Sequence, residues 1–485
     1  MTMPLPQIST LGSPSTLLSR DSGVSLVEQI VHAIQLRIDD KMLRTGARLP
    51  SIREFALQHK VSRFTVVEAY ERLVATGFLD SRRGAGFFVR ERASLVAKSP
   101  GHSGAAEPQQ MDVAWLIRNI FRQMPAQKVP GSGLLPSDWM DGALIANGLR
   151  ALSRGNQNQL LSNGTPEGFL PLRQQLQTKL ADIDIAAEPG QILLTSGVTQ
   201  GLDLIARHFL QPGDVVFVDD PAWFLMFGSF ATLGAKVIGI PRLQDGPDIE
   251  QLAALAALHK PKLFVINSIL HNPSSTSLSA AKAFQVLRLA QEHDFYIVED
   301  DIYCDMHPGA GVQAVTRIAA LDQLQRVIYL SSFSKILSYS LRVGFIAAAP
   351  ELIRLLTDRK MLSTLTSPEL GERLVHKILS EGHYRKHVDR LRQRLDGVRE
   401  RTVRHLERIG LRIDIAPVAG MFVWADAGCD TNVLTEKAMA EGYLLAPGSL
   451  FSPGQLPSSR MRLNVAAMEE PGIWRFLQRE MDQRQ

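Results

Sequence analysis

Lys335 stands in the run Ser331-Ser332-Phe333-Ser334-Lys335, with Arg342 seven residues on. It follows Arg326-Val327-Ile328-Tyr329-Leu330, whose apolar run reads as a buried strand. A lysine at such a strand end either snorkels to the surface or has chemistry to do. Its company favours chemistry. Three other apolar runs lead into Thr195-Ser196-Gly197, into Asn272-Pro273, and into Asp300 and Tyr303. An amine, a carboxylate, an amide, a phenol and a glycine turn together meet an unusual set of demands. An aldehyde cofactor needs a lysine that can be neutral near pH 7. A pyridine nitrogen that must keep its proton needs a carboxylate, through a charge-assisted hydrogen bond on the order of 1.5–3 kcal/mol. A phosphate needs a helix N-terminus and a cation, and an aromatic ring can cover one cofactor face. Pyridoxal 5'-phosphate makes all of these demands.

The elements that must position these residues are strands. Gln191–Leu194, Val215–Val218, Lys236–Ile240, Leu263–Ile266, Tyr296–Glu299, Val327–Leu330 and Gly344–Ala348 are near-continuous apolar runs. Helical patterns such as Thr199–Leu210, Ile249–Leu258 and Ala280–His293 fill most of the gaps. The alternation predicts an α/β unit with a mainly parallel seven-stranded sheet covered on both faces. Ligands of such sheets bind beyond the carboxyl ends of the strands, where the polar residues cluster. After a long helical stretch beginning near Pro350, short strands at Leu411–Ala416, Met421–Ala425 and Met461–Val465 alternate with helices at Thr431–Glu441 and Glu469–Asp482. They predict a smaller α+β subdomain, about 385–485.

From about 155 to 470 the chain resembles the class I aminotransferases, of pyridoxal phosphate fold type I. The resemblance rests on the lysine run with Arg342, Glu299-Asp300-Asp301-Ile302-Tyr303, His271-Asn272-Pro273, Ser196-Gly197-Val198-Thr199-Gln200, Pro221-Ala222-Trp223, Arg460-Met461-Arg462-Leu463-Asn464, and Gly164-Thr165-Pro166-Glu167-Gly168. It implies that Lys335 is the catalytic lysine that binds the cofactor covalently. Asp300 would serve the ring nitrogen, and Tyr303 and Asn272 the phenolic oxygen. Gly197, Val198, Thr199, Ser332 and Arg342 would hold the phosphate, Trp223 would stack, and Arg462 would grip a substrate carboxylate. Taken singly, Asp300 reads equally as a strand-end cap, Trp223 as core and Asn272-Pro273 as a turn; the ordered set over 300 residues is what points to a site. Two positions depart from the family pattern. Asn163 stands where a tyrosine usually reaches the phosphate across a dimer interface. Ser275 replaces a glycine, which predicts a changed turn, since serine disfavours positive φ.

The other end of the chain is different. Net charge is +4, and residues 20–92 hold 13 Lys/Arg against 9 Asp/Glu, while residues 93–485 hold 40 of each. The excess lies wholly in this segment and suits nucleic acid. Ser25 to Asp39 carries a helical apolar stripe. Ser51 with Glu54, and Ser62, are cap signals for two further helices, about 52–59 and 63–75. Gly77 to Val89 reads as a hairpin wing. The pattern is an α+β winged helix-turn-helix, whose second helix enters the major groove by its N-terminal end. Leu49-Pro50-Ser51 with Arg53, Ser62-Arg63 with Thr65-Val66, Tyr70-Glu71-Arg72-Leu73 and the glycine-rich wing resemble the GntR family. That resemblance implies DNA contacts from Arg53, Ser62, Arg63, Thr65, Arg82, Arg83 and Gly84. Tyr70, Leu73 and Val74 read as core.

The expected organisation is a Ser/Thr/Pro-rich tail (1–19), a DNA-binding domain (20–92), a linker (93–124, with a helix at Met111 to Met124) and the aminotransferase-like domain (125–485). The two cysteines, Cys304 and Cys429, give no disulfide framework and no metal-ligand spacing, and no apolar run approaches the ~20 residues of a membrane span. An uncharged stretch from Met1 to Leu18 argues against a secretory leader, so a cytoplasmic protein is expected. The joined architecture resembles the MocR subfamily of regulators. It implies a homodimer, domain-swapped or not, that binds a double-stranded DNA operator and senses a small amino compound (an amine, an amino acid or a vitamin B6 vitamer) through the cofactor. Two readings compete with it: a working aminotransferase with a DNA-binding appendage, and a vestigial, cofactor-free fold acting as a dimerisation domain.

Overall fold

A computed structural model describes residues 18, 23–40, 42–90, 118, 125–155, 158–161, 163–309 and 315–483. The expected tail and linker, including the helix at Met111 to Met124, fall outside these residues apart from Leu18 and Arg118. The chain divides into two compact units, residues 1–109 and 110–485.

In the first unit, α1 (Leu26–Asp39), α2 (Ile52–Gln58) and α3 (Arg63–Ala75) precede a hairpin of β1 (Leu79–Arg82) and β2 (Gly86–Val89). Each helix is opened by a serine. The hydroxyls of Ser25, Ser51 and Ser62 accept from the backbone N–H three residues on, at 3.2, 3.2 and 3.0 Å. Such caps stabilise a helix by about 1 kcal/mol each. Ile30 and Ile34 of α1 pack with Phe55, Val66, Tyr70 and Leu73. Tyr70 is fully buried, and its hydroxyl donates to Pro50 O at 3.1 Å.

In the second unit, β3 (Ile192–Thr195), β4 (Val215–Asp220), β5 (Lys236–Leu243), β6 (Gly246–Pro247), β7 (Leu263–Ile266), β8 (Tyr296–Asp300), β9 (Val327–Ser332) and β10 (Gly344–Ala347) form one sheet, ordered β3-β10-β9-β8-β7-β4-β5-β6. From β9 through β5 neighbours are parallel, while β10 is antiparallel to both of its neighbours. All seven expected strands form, but the sheet has an eighth. β6 is a Gly-Pro pair folded back on β5, and such a pair carries turn chemistry with no apolar alternation. Alternate side chains enter different cores: Phe217, Phe264 and Tyr329 on one face, Val216, Val265 and Ile328 on the other. Burial on both faces is why these strands read as unbroken apolar runs.

The stretch from Pro350 forms three helices, Pro350–Thr364, Glu369–Ser380 and His383–Arg408. Beyond them β11 (Phe422–Asp426), β12 (Ala446–Pro447) and β13 (Arg460–Asn464) make an antiparallel sheet ordered β11-β13-β12. The expected strand at Leu411–Ala416 does not form. Only Arg412 bridges to Asp426, and the chain bends at Asp414 and Ile415. Ion pairs from Arg412 to Asp426 (2.6 Å) and from Arg460 to Asp414 hold it in place of a ladder.

Candidate functional site

The carboxyl ends of β3, β4, β7, β8 and β9 open onto one cavity of about 480 Å³. Asn272, Asp300, Tyr303, Val198, Thr199, Trp223, Lys335, Arg342 and Arg462 all line it. Residues spread over 265 positions thus meet: most follow strands that end at the same edge, and Arg462 comes from β13 of the smaller sheet.

Lys335 Nζ donates to Gly133 O at 2.8 Å and lies 5.8 Å from the centre of the Tyr303 ring. Burial first, then the charge of Arg462, lowers its ammonium to about 8, with Arg342 adding and Asp300 opposing. Asp300 is moved the other way. Burial raises its carboxyl to about 7, against the N–H bond from Ile302 (3.2 Å) and the attraction of Lys335, while Asp301 adds repulsion. Both groups therefore titrate close to pH 7, so the amine has an accessible neutral fraction that can attack and the carboxyl can trade its proton. The Asp300 carbonyl accepts from the Asn267 side chain, whose Oδ1 accepts from Asn272 N at 2.9 Å.

Asn272 Nδ2 donates to the Tyr303 hydroxyl at 3.4 Å, and its Oδ1 accepts from Arg462 Nη1 at 2.8 Å. Arg462 is 1% exposed, on β13. Its Nη2 donates to Gly131 O at 2.6 Å, and its Nε has no partner among the described residues. The rings of Phe422, Phe451 and Phe224 lie 4.5, 4.9 and 6.0 Å from the guanidinium. Among the described residues it has no carboxylate partner, and this burial lowers it to about 10.

The turn between β3 and the helix Val198–Phe209 has the form of an anion cradle. Gly197 sits at φ +82°, and a Cβ there would come within 2.6 Å of Arg342 Nη2. Arg342 donates to Ser196 O at 3.0 Å. Thr199 is exposed to the cavity. Ser332 is placed differently from its neighbours in the set. Its buried hydroxyl donates to Val343 O at 2.9 Å and accepts from Ser334 N at 3.0 Å, and it does not line the cavity, whereas Ser334 does.

The two departures resolve unequally. Ser275 keeps positive φ, +57°, so the turn is retained. Its N–H donates to His271 O (2.6 Å) and its hydroxyl donates to Phe422 O (3.0 Å), which offsets the strain of a left-handed serine. Asn163 is exposed and does not line the cavity.

Several wall residues were not anticipated. Gly133 comes from the loop Pro130–Pro136, and a backbone carbonyl leaves no mark in sequence. Asn267 and Asp219 lie at the ends of β7 and β4, where the strand-end rule could have found them. Asp219 accepts from Arg242 Nη1 at 2.8 Å, both fully buried, with His271 beside them at 3.7 Å. Tyr339 and Met226 complete the wall.

In the first unit, Arg53, Ser62, Arg63, Arg82, Arg83 and Gly84 are exposed, and Thr65 is half-buried. Arg63 is the first residue of α3, and Ser62 spends its hydroxyl on the cap and on Thr65 Oγ1 at 2.7 Å. Arg82 stacks over Phe88 at 4.7 Å, and Gly84 takes φ +76° at the wing tip. Phe64, 77% exposed beside Arg63, is an unanticipated apolar group on that helix end.

Comparison with known proteins agrees with both units. The sequence profile of "Aminotransferase class I and II" matches residues 131–479, and that of "Bacterial regulatory proteins, gntR family" matches residues 26–89. An uncharacterized HTH-type transcriptional regulator, YdfD of Bacillus subtilis, is 28% identical over 91% of this chain and 93% of its own. Aromatic-amino-acid aminotransferase 1 of Thermococcus litoralis is 33% identical over 65% of this chain and 78% of its own. The crystal structure of LysN, an α-aminoadipate aminotransferase of Thermus thermophilus complexed with N-(5'-phosphopyridoxyl)-L-leucine, superposes with a TM-score of 0.68 at 25% identity, covering 76% of this chain and 94% of that one. The chain belongs to the class I and II aminotransferase family and carries a GntR-type winged helix-turn-helix at its N-terminal end.

Proposed function

We propose that the protein is a DNA-binding transcriptional regulator that senses an amino compound through pyridoxal 5'-phosphate. The observation that carries this reading is the convergence of Lys335, Asp300, Tyr303 and Arg462 on one cavity of a chain that also carries a GntR-type head. The residues fit the group. Burial lowers the amine to about 8 and raises the carboxyl to about 7, and Arg462 Nε has no partner among the described residues. When bound, the cofactor supplies an aldehyde that condenses with amines and a ring that withdraws electrons.

The chain's residues divide the remaining work. Lys335 would supply the amine that holds the cofactor, and it would serve as a nearby base when free. Asp300 would keep the proton on the ring nitrogen. Tyr303 and Asn272 would hold the phenolic oxygen, and Arg342 with the N–H groups opening the helix Val198–Phe209 would hold the phosphate. Trp223 would cover one face. Arg462 orients a carboxylate through two parallel N–H bonds.

A route to the head begins at the loop Pro130–Pro136. Lys335 holds Gly133 O and Arg462 holds Gly131 O, while the Asn464 side chain donates to Ser132 O (3.1 Å) and Leu134 O (2.7 Å). An effector's carboxylate would compete with Gly131 O for Arg462, and the cofactor would take Lys335 from Gly133 O. In sequence the loop is the part of the cavity wall nearest the DNA-binding head. Two such chains in a homodimer, domain-swapped or not, would place two heads on an operator.

The test is the visible spectrum of the purified protein during titration with amines and amino acids, with operator affinity read in parallel. A shifted cofactor band together with shifted affinity supports sensing. A band that never forms rejects it. The full set including Arg462, with the 33% identity to an aminotransferase, favours one other reading, a working enzyme. Stoichiometric keto acid release in a single-turnover experiment, with operator affinity unchanged, would decide for it.

A further inference from the structure

The charges on the cavity wall are all engaged before an effector side chain is placed. Among the described residues five charged side chains line it: Asp219, Asp300, Lys335, Arg342 and Arg462. Asp219 is paired with Arg242 at 2.8 Å. On the reading above, Asp300 serves the ring nitrogen, Arg342 the phosphate, Lys335 the amine and Arg462 the carboxylate. His271, also on the wall, is held far below its usual range by burial and by the charge of Arg242, and is neutral. The wall beside Arg462 is apolar. Phe224 lies 6.0 Å from its guanidinium and packs edge-on against Phe451 at 5.3 Å. Leu134, Leu225 and Met226 line the same cavity.

On that reading, a substituent on the carbon between the amine and the carboxylate would lie beside Arg462 and meet these apolar residues. An ionised group there would lose its hydration and find no free counter-charge among the described residues, whereas an apolar one would leave water for matching surroundings. We propose that the effector is an α-amino acid with an uncharged, apolar side chain, branched or aromatic, seated against Leu134, Phe224, Leu225 and Met226. This inference rests on the reading of the cavity as a pyridoxal phosphate pocket.

The reduced conjugates N-(5'-phosphopyridoxyl)-L-leucine, -L-phenylalanine, -L-aspartate and -L-lysine test it without turnover. Calorimetry on the full chain freed of cofactor should find the leucine and phenylalanine conjugates at least fivefold tighter than the other two. A smaller gap, or preference for a charged conjugate, overturns the effector class while leaving the cofactor reading intact; a second copy of the chain must then bring a charge to the wall. If none of the four binds, the cofactor reading falls and the inference falls with it.

Discussion

Replacing Arg462 with methionine tests the centre of the site. In the free protein Nη1 is held by Asn272 and Nη2 by Gly131, and Nε is unpartnered. A carboxylate arriving at Nε and Nη2 makes one new charge-assisted bond, on the order of 1.5–3 kcal/mol, and exchanges another with the Gly131 carbonyl. It also gives a buried cation its first counter-charge, so the interaction is expected at about 2–4 kcal/mol, roughly a 30- to 1000-fold change in affinity.

The assay is a cycle of two proteins and two ligands. Wild type and Arg462→Met are titrated with N-(5'-phosphopyridoxyl)-L-leucine and with the conjugate of isopentylamine, which lacks only the carboxylate. The variant should lose about 2–4 kcal/mol for the first ligand and under about 0.5 kcal/mol for the second. It should also fold, because removing a buried charge offsets the two acceptors left unpaired on Asn272 and Gly131. Equal losses for both ligands would refute the reasoning, since Arg462 would then only hold the pocket's shape.

Lys335→Ala should give no borohydride-fixable adduct with pyridoxal phosphate and leave operator binding by the cofactor-free protein within a factor of three; a fixable adduct would reassign the lysine. Asp300→Asn should stabilise the cofactor-free body in a pH-dependent way. With its carboxyl at about 7 rather than the ordinary 3.8, the native state holds a proton that the unfolded state releases near pH 4. Wild-type stability therefore falls as pH rises from about 4 to 7, so urea unfolding should show the variant gaining on wild type across that window and levelling above it, by on the order of 2–4 kcal/mol. A constant difference would contradict the assignment. Arg63→Ala should weaken operator binding by about 1–3 kcal/mol, and Arg82→Ala should lower the salt dependence of log K by about one; unchanged binding across salt concentrations would remove either from the interface.

The strands and the strand-end groups were legible because burial on both faces leaves only their ends for polar residues. Lys335, Asp300, Tyr303, Asn272 and Arg462 could be placed together on that ground with the family resemblance, and the capping serines of α2 and α3 on local chemistry alone. What was illegible depends on geometry that residue types do not encode. Ser332 and Ser334 are equivalent in sequence, yet the chain leaves the strand between them, so only Ser334 reaches the cavity. Ser275 was expected to change its turn, and a hydroxyl bond across 147 positions to Phe422 keeps it. Gly133 acts through its carbonyl, which every residue has. Asp219, Arg242 and His271 come from three separate strand ends, and only tertiary packing makes them a cluster.

Whether this cavity can control a DNA-binding head is a question of magnitude. An effector moves an equilibrium only by its difference in affinity between two arrangements. A tenfold change in operator occupancy requires about 1.4 kcal/mol of coupling, and couplings of roughly 1–3 kcal/mol are usual. The two bonds that tie Gly131 and Gly133 to Arg462 and Lys335 are charge-assisted, each worth about 1.5–3 kcal/mol when made in a dry site. Exchanging them for an effector's carboxylate and for the cofactor would leave the loop held by the Asn464 side chain and by two backbone bonds, Asn464 N to Pro130 O at 2.7 Å and Gly131 N to Leu444 O at 2.8 Å. The loop is therefore tied to the two groups that any amino acid must engage. An amine without a carboxylate would leave the Arg462–Gly131 bond in place. It should bind and yet transmit less, a partial effector whose deficit measures the share carried by Arg462.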